Sequence, residues 1–414
     1  MALLVSSVFV AAPANAFPSN AWWYGELSVA KAQQVSKGAG VTVAVIDTGV
    51  SASLPDLSGQ VLPGTTFVGG GDPRTDPPDL KAPYFGHGTA VAGYIAGTGR
   101  GAGMVGIAPQ ARILPIRAAS ASELVDDTAE ERGIRWAADH GAKVMNISLA
   151  GQGTCPADMQ SAVDYAVRHD VIVVAGTGNS AGAQIGYPAN CVGAMAVGGL
   201  AYSAAFKAWK DSTSGPQLDF VAPAEHMRDL LLTNQLSDPV AYGTSIATAL
   251  VSGTFALLRS KFPKESARQI VTRALWNVHN GLAGDVFAKR IDDRLGYGEI
   301  LPNFALTVTP PANAVNPIYD AIDKHLNASA SKSPSASTAP SAGGSSSGTS
   351  SGQSSGGADG LSPIVVVLLA VAALALVIGI VVAVSRGRRA RRVGPPGPFG
   401  PFGPPSPPGP YRQY

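Results

Sequence analysis

The chain has 414 residues, a hydrophobic fraction of 45% and a formal net charge of +2. So small an excess of positive charge gives no support to nucleic-acid binding. The length fits one large domain with separate terminal segments, and two cysteines with no further close ligand exclude a zinc site.

In chain order, residues 1–16 read as a signal peptide, with a short apolar run and Ala14-Asn15-Ala16 as a small-residue cleavage site. It is atypical, because no lysine or arginine precedes Lys31; either the signal departs from the usual pattern or the start is placed too late. Residues 17–40 form an extension whose Trp22, Trp23, Tyr24 and Leu27 look built to pack on the body. The apolar run 41–46 predicts a buried strand that ends at Asp47, and Gly49 lets the chain turn away at its carboxyl end, where ligands bind in open α/β sheets.

A glycine and proline loop follows, with Asp72, Asp76 and Asp79. Its spacing matches no calcium template, so a solvated loop is preferred to a calcium site. His87 opens a helical stretch over 87–97. Helical patterns over 128–139 and 157–167 alternate with apolar strands over 144–147, 171–175 and 194–197. That alternation predicts an α/β fold, a doubly wound parallel sheet with helices on both faces. Ser245 opens a last helical stretch with no charge before Arg259, apolar nearly all round and therefore central.

Three short segments carry the chemistry: Asp47-Thr48-Gly49, Gly86-His87-Gly88-Thr89 and Gly243-Thr244-Ser245-Ile246-Ala247. A serine hydroxyl needs an imidazole to take its proton and a buried carboxylate to fix the imidazole's tautomer, and acid, base and nucleophile occur here in that order. Asp-Thr-Gly also marks aspartic proteases, but those need two such aspartates and the tripeptide occurs once. Ser245 falls at the amino end of its helix, where backbone N–H groups and the helix dipole favour developing negative charge. Asn179 ends a β-branched strand and a glycine turn, and its amide can donate to an oxyanion; the plainer alternative is a residue that occupies a left-handed turn position.

These segments, with 38–50 and Tyr187-Pro188-Ala189, resemble the subtilases, and more narrowly the mycosins, membrane-anchored serine proteases associated with type VII secretion in actinobacteria. The likeness covers residues 22–302. It implies a subtilisin-like fold over 41–302, a triad of Asp47, His87 and Ser245, and Asn179 as oxyanion donor. It further implies that Ser148, Leu149, Ala150 and Gly151 form a wall on which a protein or peptide substrate pairs as an added strand. Gly176 and Gly178 complete the substrate-binding set, and small lining residues hint at modest side chains at the cleavage position. No cofactor and no metal is expected. Subtilases usually carry proline four residues after the serine; Ala249 stands there, and alanine keeps the helix. Secreted subtilisins carry a folded prodomain, whereas only 30 residues separate Ala16 from Asp47, so activation by prodomain removal is not expected.

Beyond the enzyme, residues 303–362 read as a Ser/Gly/Pro-rich linker, whose 331–360 part has no large apolar residue. Residues 363–385 read as a transmembrane helix: 364–384 are all apolar or glycine, long enough for a hydrocarbon core of about 30 Å. Five arginines at 386–392 place the following end in the cytoplasm, and the rest of the 386–414 tail is mostly proline and glycine, disordered or, less readily, a docking motif. The catalytic domain then faces outside, in a single-pass arrangement at the cell membrane. In that compartment Cys155 and Cys191, in neighbouring loops of the sheet, form a disulfide. The expected role is an outward-facing endopeptidase that processes exported proteins; the resemblance adds secretion-system membrane components as partners. A structural subunit of the secretion complex and a free-standing surface protease are the alternatives.

Overall fold

The computed structural model describes residues 21–76, 84–120, 126–182, 184–203, 205–280 and 289–332. The expected signal peptide, transmembrane helix and tail, and Asp79, lie outside the described residues. Among the described residues, no helix is long and apolar enough to cross a membrane.

The sheet grows from short apolar runs. They are β1 (Thr42–Asp47), β2 (Thr65–Thr66), β3 (Arg112–Arg117), β4 (Val144–Ile147), β5 (Ile172–Gly176), β6 (Ala194–Leu200), β7 (Phe220–Pro223), β8 (Val278–His279) and β9 (Gly298–Ile300). Their order is β2-β3-β1-β4-β5-β6-β7-β9-β8. Every neighbouring pair is parallel except β8 with β9. Side chains alternate across the sheet, so Val43 and Val45 enter one core while Ala44 and Ile46 enter the other. With both faces buried, the central strands β1, β4, β5 and β6 are mostly apolar instead of alternating apolar and polar.

The first core is covered by α1 (Trp22–Glu26), α2 (Val29–Val35), α3 (His87–Ala96), the long α6 (Thr244–Lys261), α7 (Ala267–Trp276), α8 (Pro302–Thr307) and α9 (Pro317–Lys332). The second is covered by α4 (Asp127–Asp139) and α5 (Ala157–Arg168). Helix α6 is buried on all sides from Ile246 to Arg259 and lies against β4, β5, β6 and β7. Ala249 sits fully buried inside it without interrupting the helix.

Two strands decide where a site can form. From β1 the chain runs to β3 on one side and then to β4 on the other, so the crevice beyond the carboxyl ends of β1 and β4 is a topological switch point. Register keeps those ends level, with Ile46 beside Ile147 and Asp47 beside Arg117.

The linker expected from residue 303 needs correction. Helix α9 and all of α8 but Pro302 fall inside it, and Ile318, Tyr319 and Ile322 of α9 are buried in the first core. Asn316 anchors the start of α9, its amide donating to Thr272 Oγ1 at 2.9 Å. A window averaged over 303–362 is dominated by its serine and glycine half and hides this apolar stripe. At the other end, Trp23, Leu27, Val29 and Ala32 are buried in the same core, and Trp22 Nε1 donates to the Glu225 carbonyl at 2.9 Å. Cys155 and Cys191 are joined as a disulfide that ties the loop after β4 to the segment after β5.

Candidate active site

Asp47 is wholly buried at the end of β1, where its Oδ1 accepts the Thr48 backbone N–H at 2.7 Å. The ring of His87, first residue of α3, meets it through Nδ1 at 2.8 Å from Oδ1 and 3.0 Å from Oδ2. An ionised carboxylate only accepts, so Nδ1 carries the proton and Nε2 keeps its lone pair. Burial alone would lower the His87 pKa. The charge and hydrogen bond of Asp47, together with the charges of Asp229 and Asp76, outweigh it and hold the pKa above the ordinary 6.5.

Glycine makes this approach feasible. A Cβ on Gly88 would lie 2.2 Å from the Gly49 carbonyl oxygen and 3.1 Å from Asp47, so only glycine lets α3 start against the β1 turn. Asp76 then clamps the two segments together. Its Oδ1 accepts Thr48 Oγ1 at 3.0 Å, and its Oδ2 accepts the Thr89 N–H at 3.1 Å and Thr89 Oγ1 at 2.8 Å. Thr48 Oγ1 in turn accepts the Gly88 N–H at 3.0 Å. Burial pushes the Asp76 carboxyl up to about 6, with Asp47 adding and the threonine hydrogen bonds opposing.

That clamp revises the picture of the aspartate loop. Arg117 reaches across it, Nε donating to the Thr48 carbonyl at 3.0 Å, Nη1 to Gly70 at 2.7 Å and Nη2 to Asp72 at 2.8 Å. A guanidinium thus holds the carbonyls, and among the described residues no group of acidic or histidine side chains could hold a metal ion.

Ser245, second residue of α6, donates from Oγ to the Ser148 carbonyl at 3.3 Å, while Ser148 Oγ donates to the Ser245 carbonyl at 3.1 Å. A buried chain continues behind them: Asn146 Nδ2 donates to Ser148 Oγ at 2.9 Å and Ser252 Oγ to Asn146 Oδ1 at 3.0 Å. The end of β4 is therefore locked to the start of α6. Ser245 and His87 face one cavity, and among the described residues no hydrogen bond joins them; such bonds often tighten only when substrate is present.

Asn179 is oriented from behind. Its Oδ1 accepts both the backbone N–H (2.9 Å) and Oγ1 (3.0 Å) of Thr244, which leaves the Nδ2 donor for the cleft above Ser245. Gly178 precedes it at φ +105°, a conformation that favours glycine, with its N–H on Thr244 Oγ1 at 3.2 Å.

A cleft of about 740 Å³ is lined by Ser148, Leu149, Ala150, Gly151, Gly176, Gly178, Asn179 and Ser245, which brings the whole expected substrate-binding set to one surface. Its wall is rigid: the Gly151 N–H donates to the Tyr187 carbonyl at 2.8 Å, and a Cβ on Gly151 would strike the Tyr187 ring at 2.1 Å. Tyr187 itself is tied down by its hydroxyl, which donates to Asp127 Oδ2 at 2.9 Å. A second cavity of about 380 Å³ adjoins it, sharing Asn179 and Ser245 and adding His87. Asp47 lies behind His87, outside both.

Sequence reasoning missed Asp76, Arg117, Asn146, Thr244 and Ser252 as parts of the site. Thr244 had a signal, being adjacent to Ser245 at a helix start. The rest depend on contacts between distant segments.

The subtilase family model matches residues 38–298. Fervidolysin of Fervidobacterium pennivorans is 35% identical over 70% of this chain, which spans only 44% of that relative's length. Subtilisin DY of Bacillus licheniformis is 36% identical over 57% of this chain and 83% of its own. Among solved structures, the MycP3 protease from the type VII (ESX-3) secretion system is 30% identical with a TM-score of 0.58, over 69% of this chain and 88% of its own.

Proposed function

The chain belongs to the subtilase family of serine endopeptidases, and on that premise we propose that it cleaves exported proteins at the outer face of the cell membrane, beside a type VII secretion system. His87 Nε2 takes the proton of Ser245 Oγ, which attacks the scissile carbonyl. Asp47 orients the ring and stabilises the imidazolium. Asn179 Nδ2 and the Ser245 backbone N–H receive the oxyanion at the amino end of α6. His87 returns its proton to the leaving amine, and water resolves the acyl-enzyme by the reverse route.

One observation carries this reading: the Asp47–His87 pair, Ser245 and an Asn179 amide pinned through its oxygen converge on adjoining cavities at the sheet's switch point. Membrane attachment and outward orientation rest on the apolar stretch 364–384 and the arginines after it, and the secretion link rests on the likeness to MycP3. The test is Ser245→Ala in the native host, scored separately for cleavage of exported proteins and for their export. Cleavage should vanish. Retained cleavage would remove Ser245 as nucleophile, and lost cleavage with normal export would show that export does not depend on proteolysis.

A further inference from the structure

The 380 Å³ cavity has a feature that the proposed chemistry leaves unused. A short antiparallel ribbon, bridged at Met227 with Ala241 and at Leu230 with Leu236, leads into Gly243 and presents Asp229 to this cavity. Ser237 Oγ fixes its position by accepting the Asp229 backbone N–H at 2.9 Å. The Asp229 Oδ1 atom is buried without a hydrogen-bond partner. Its polar neighbours are the Tyr94 phenol and the His87 ring. Among the described residues no lysine or arginine pairs with it, and the guanidinium of adjacent Arg228 turns away to the Ser237 carbonyl at 3.2 Å. A buried carboxylate oxygen without a partner is costly, and a cation with a hydrogen bond to give would relieve that cost.

The position of the cavity says which part of a substrate fills it. His87 gives its proton to the departing amine, so the leaving chain must pass His87. The smaller cavity is lined by His87 and the larger one is not. Its other walls include Val91, Leu232 and Ile246. Apolar walls with one acidic group match a long side chain with an aliphatic stem and a cationic head.

We propose that Asp229 makes the leaving side of the cleft selective for lysine or arginine directly after the bond that is cut. The methylenes lie along Val91, Leu232 and Ile246, and the charged head meets the carboxylate. This rests on the serine-endopeptidase reading above.

The test uses the full chain and internally quenched peptides with one fixed acyl side ending in alanine. The first residue after the bond is lysine, arginine, acetyl-lysine, leucine or glutamate. A charge-assisted hydrogen bond should favour lysine and arginine over leucine and acetyl-lysine by about tenfold or more in kcat/KM, and Asp229→Asn should shrink that ratio to about threefold or less. Asp229→Lys should favour glutamate. The wild-type ratio alone decides the matter if a variant fails to fold. Equal cleavage of all peptides by the wild type, or an undiminished ratio in Asp229→Asn, overturns the inference. Cleavage of none overturns the enzymatic reading beneath it as well.

Discussion

Adding a single methyl at Gly88 tests the geometry most sharply. The new Cβ would stand 2.2 Å from the Gly49 carbonyl oxygen, well inside the 3.4 Å at which ordinary contact begins, and 3.1 Å from Asp47 Oδ1. Backbone cannot yield as a side-chain tip would, so α3 and the β1 turn must part by about 1 Å. The Nδ1–Oδ1 bond of 2.8 Å spans that gap and would stretch or break. A displacement of about 1 Å in a catalytic group costs on the order of 10² in rate, and overpacking costs about 1–3 kcal/mol of stability. The assay pairs kcat/KM on a chromogenic peptide with a thermal melt. Gly25→Ala serves as control, since a Cβ there meets nothing within 4 Å. Gly88→Ala with wild-type kcat/KM and melting temperature would refute the close packing of α3 on β1.

Three further outcomes follow from the same site. Asn179→Ala should lower kcat by about 10²–10³ with little change in KM, because its amide acts on charge that develops only in the transition state. Only neutral His87 accepts a proton and its pKa is raised, so kcat/KM should fall as pH drops through a midpoint above 6.5; Asp47→Asn should move that midpoint down and cut kcat, which a pH–rate profile reads. Opening the Cys155–Cys191 bridge by Cys155→Ser, measured by denaturant unfolding, should cost roughly 3 to 4 kcal/mol for a separation of 36 residues.

Much of the fold was legible because the central strands are short, mostly apolar and bounded by turns. The run 144–147 predicts β4 to the residue, and the alternation of strands with amphipathic patterns points to the doubly wound sheet. Segments that carry reactive groups fall at element ends, where glycines mark them: Gly49 after β1, Gly86 before α3 and Gly243 before α6. Supporting residues were hidden for a physical reason. Asp76 lies 11 residues before His87 in an irregular loop, and its meaning comes only when the fold brings Thr48 and Thr89 to it. Arg117 reads as a charge at a strand end until the loop carbonyls gather round its guanidinium. Helix α9 was lost to composition, since Ile318, Tyr319 and Ile322 give a stripe too short to stand out beside the serine and glycine run.

The proposed nucleophile can be tested most directly by covalent labelling. A fluorophosphonate reacts with a serine only where a neighbouring base and an oxyanion site activate it. After the intact chain is treated and digested, mass spectrometry should find the adduct on Ser245, and Ser245→Ala and His87→Ala should each abolish it. An adduct on another serine, or undiminished labelling without His87, would contradict the account.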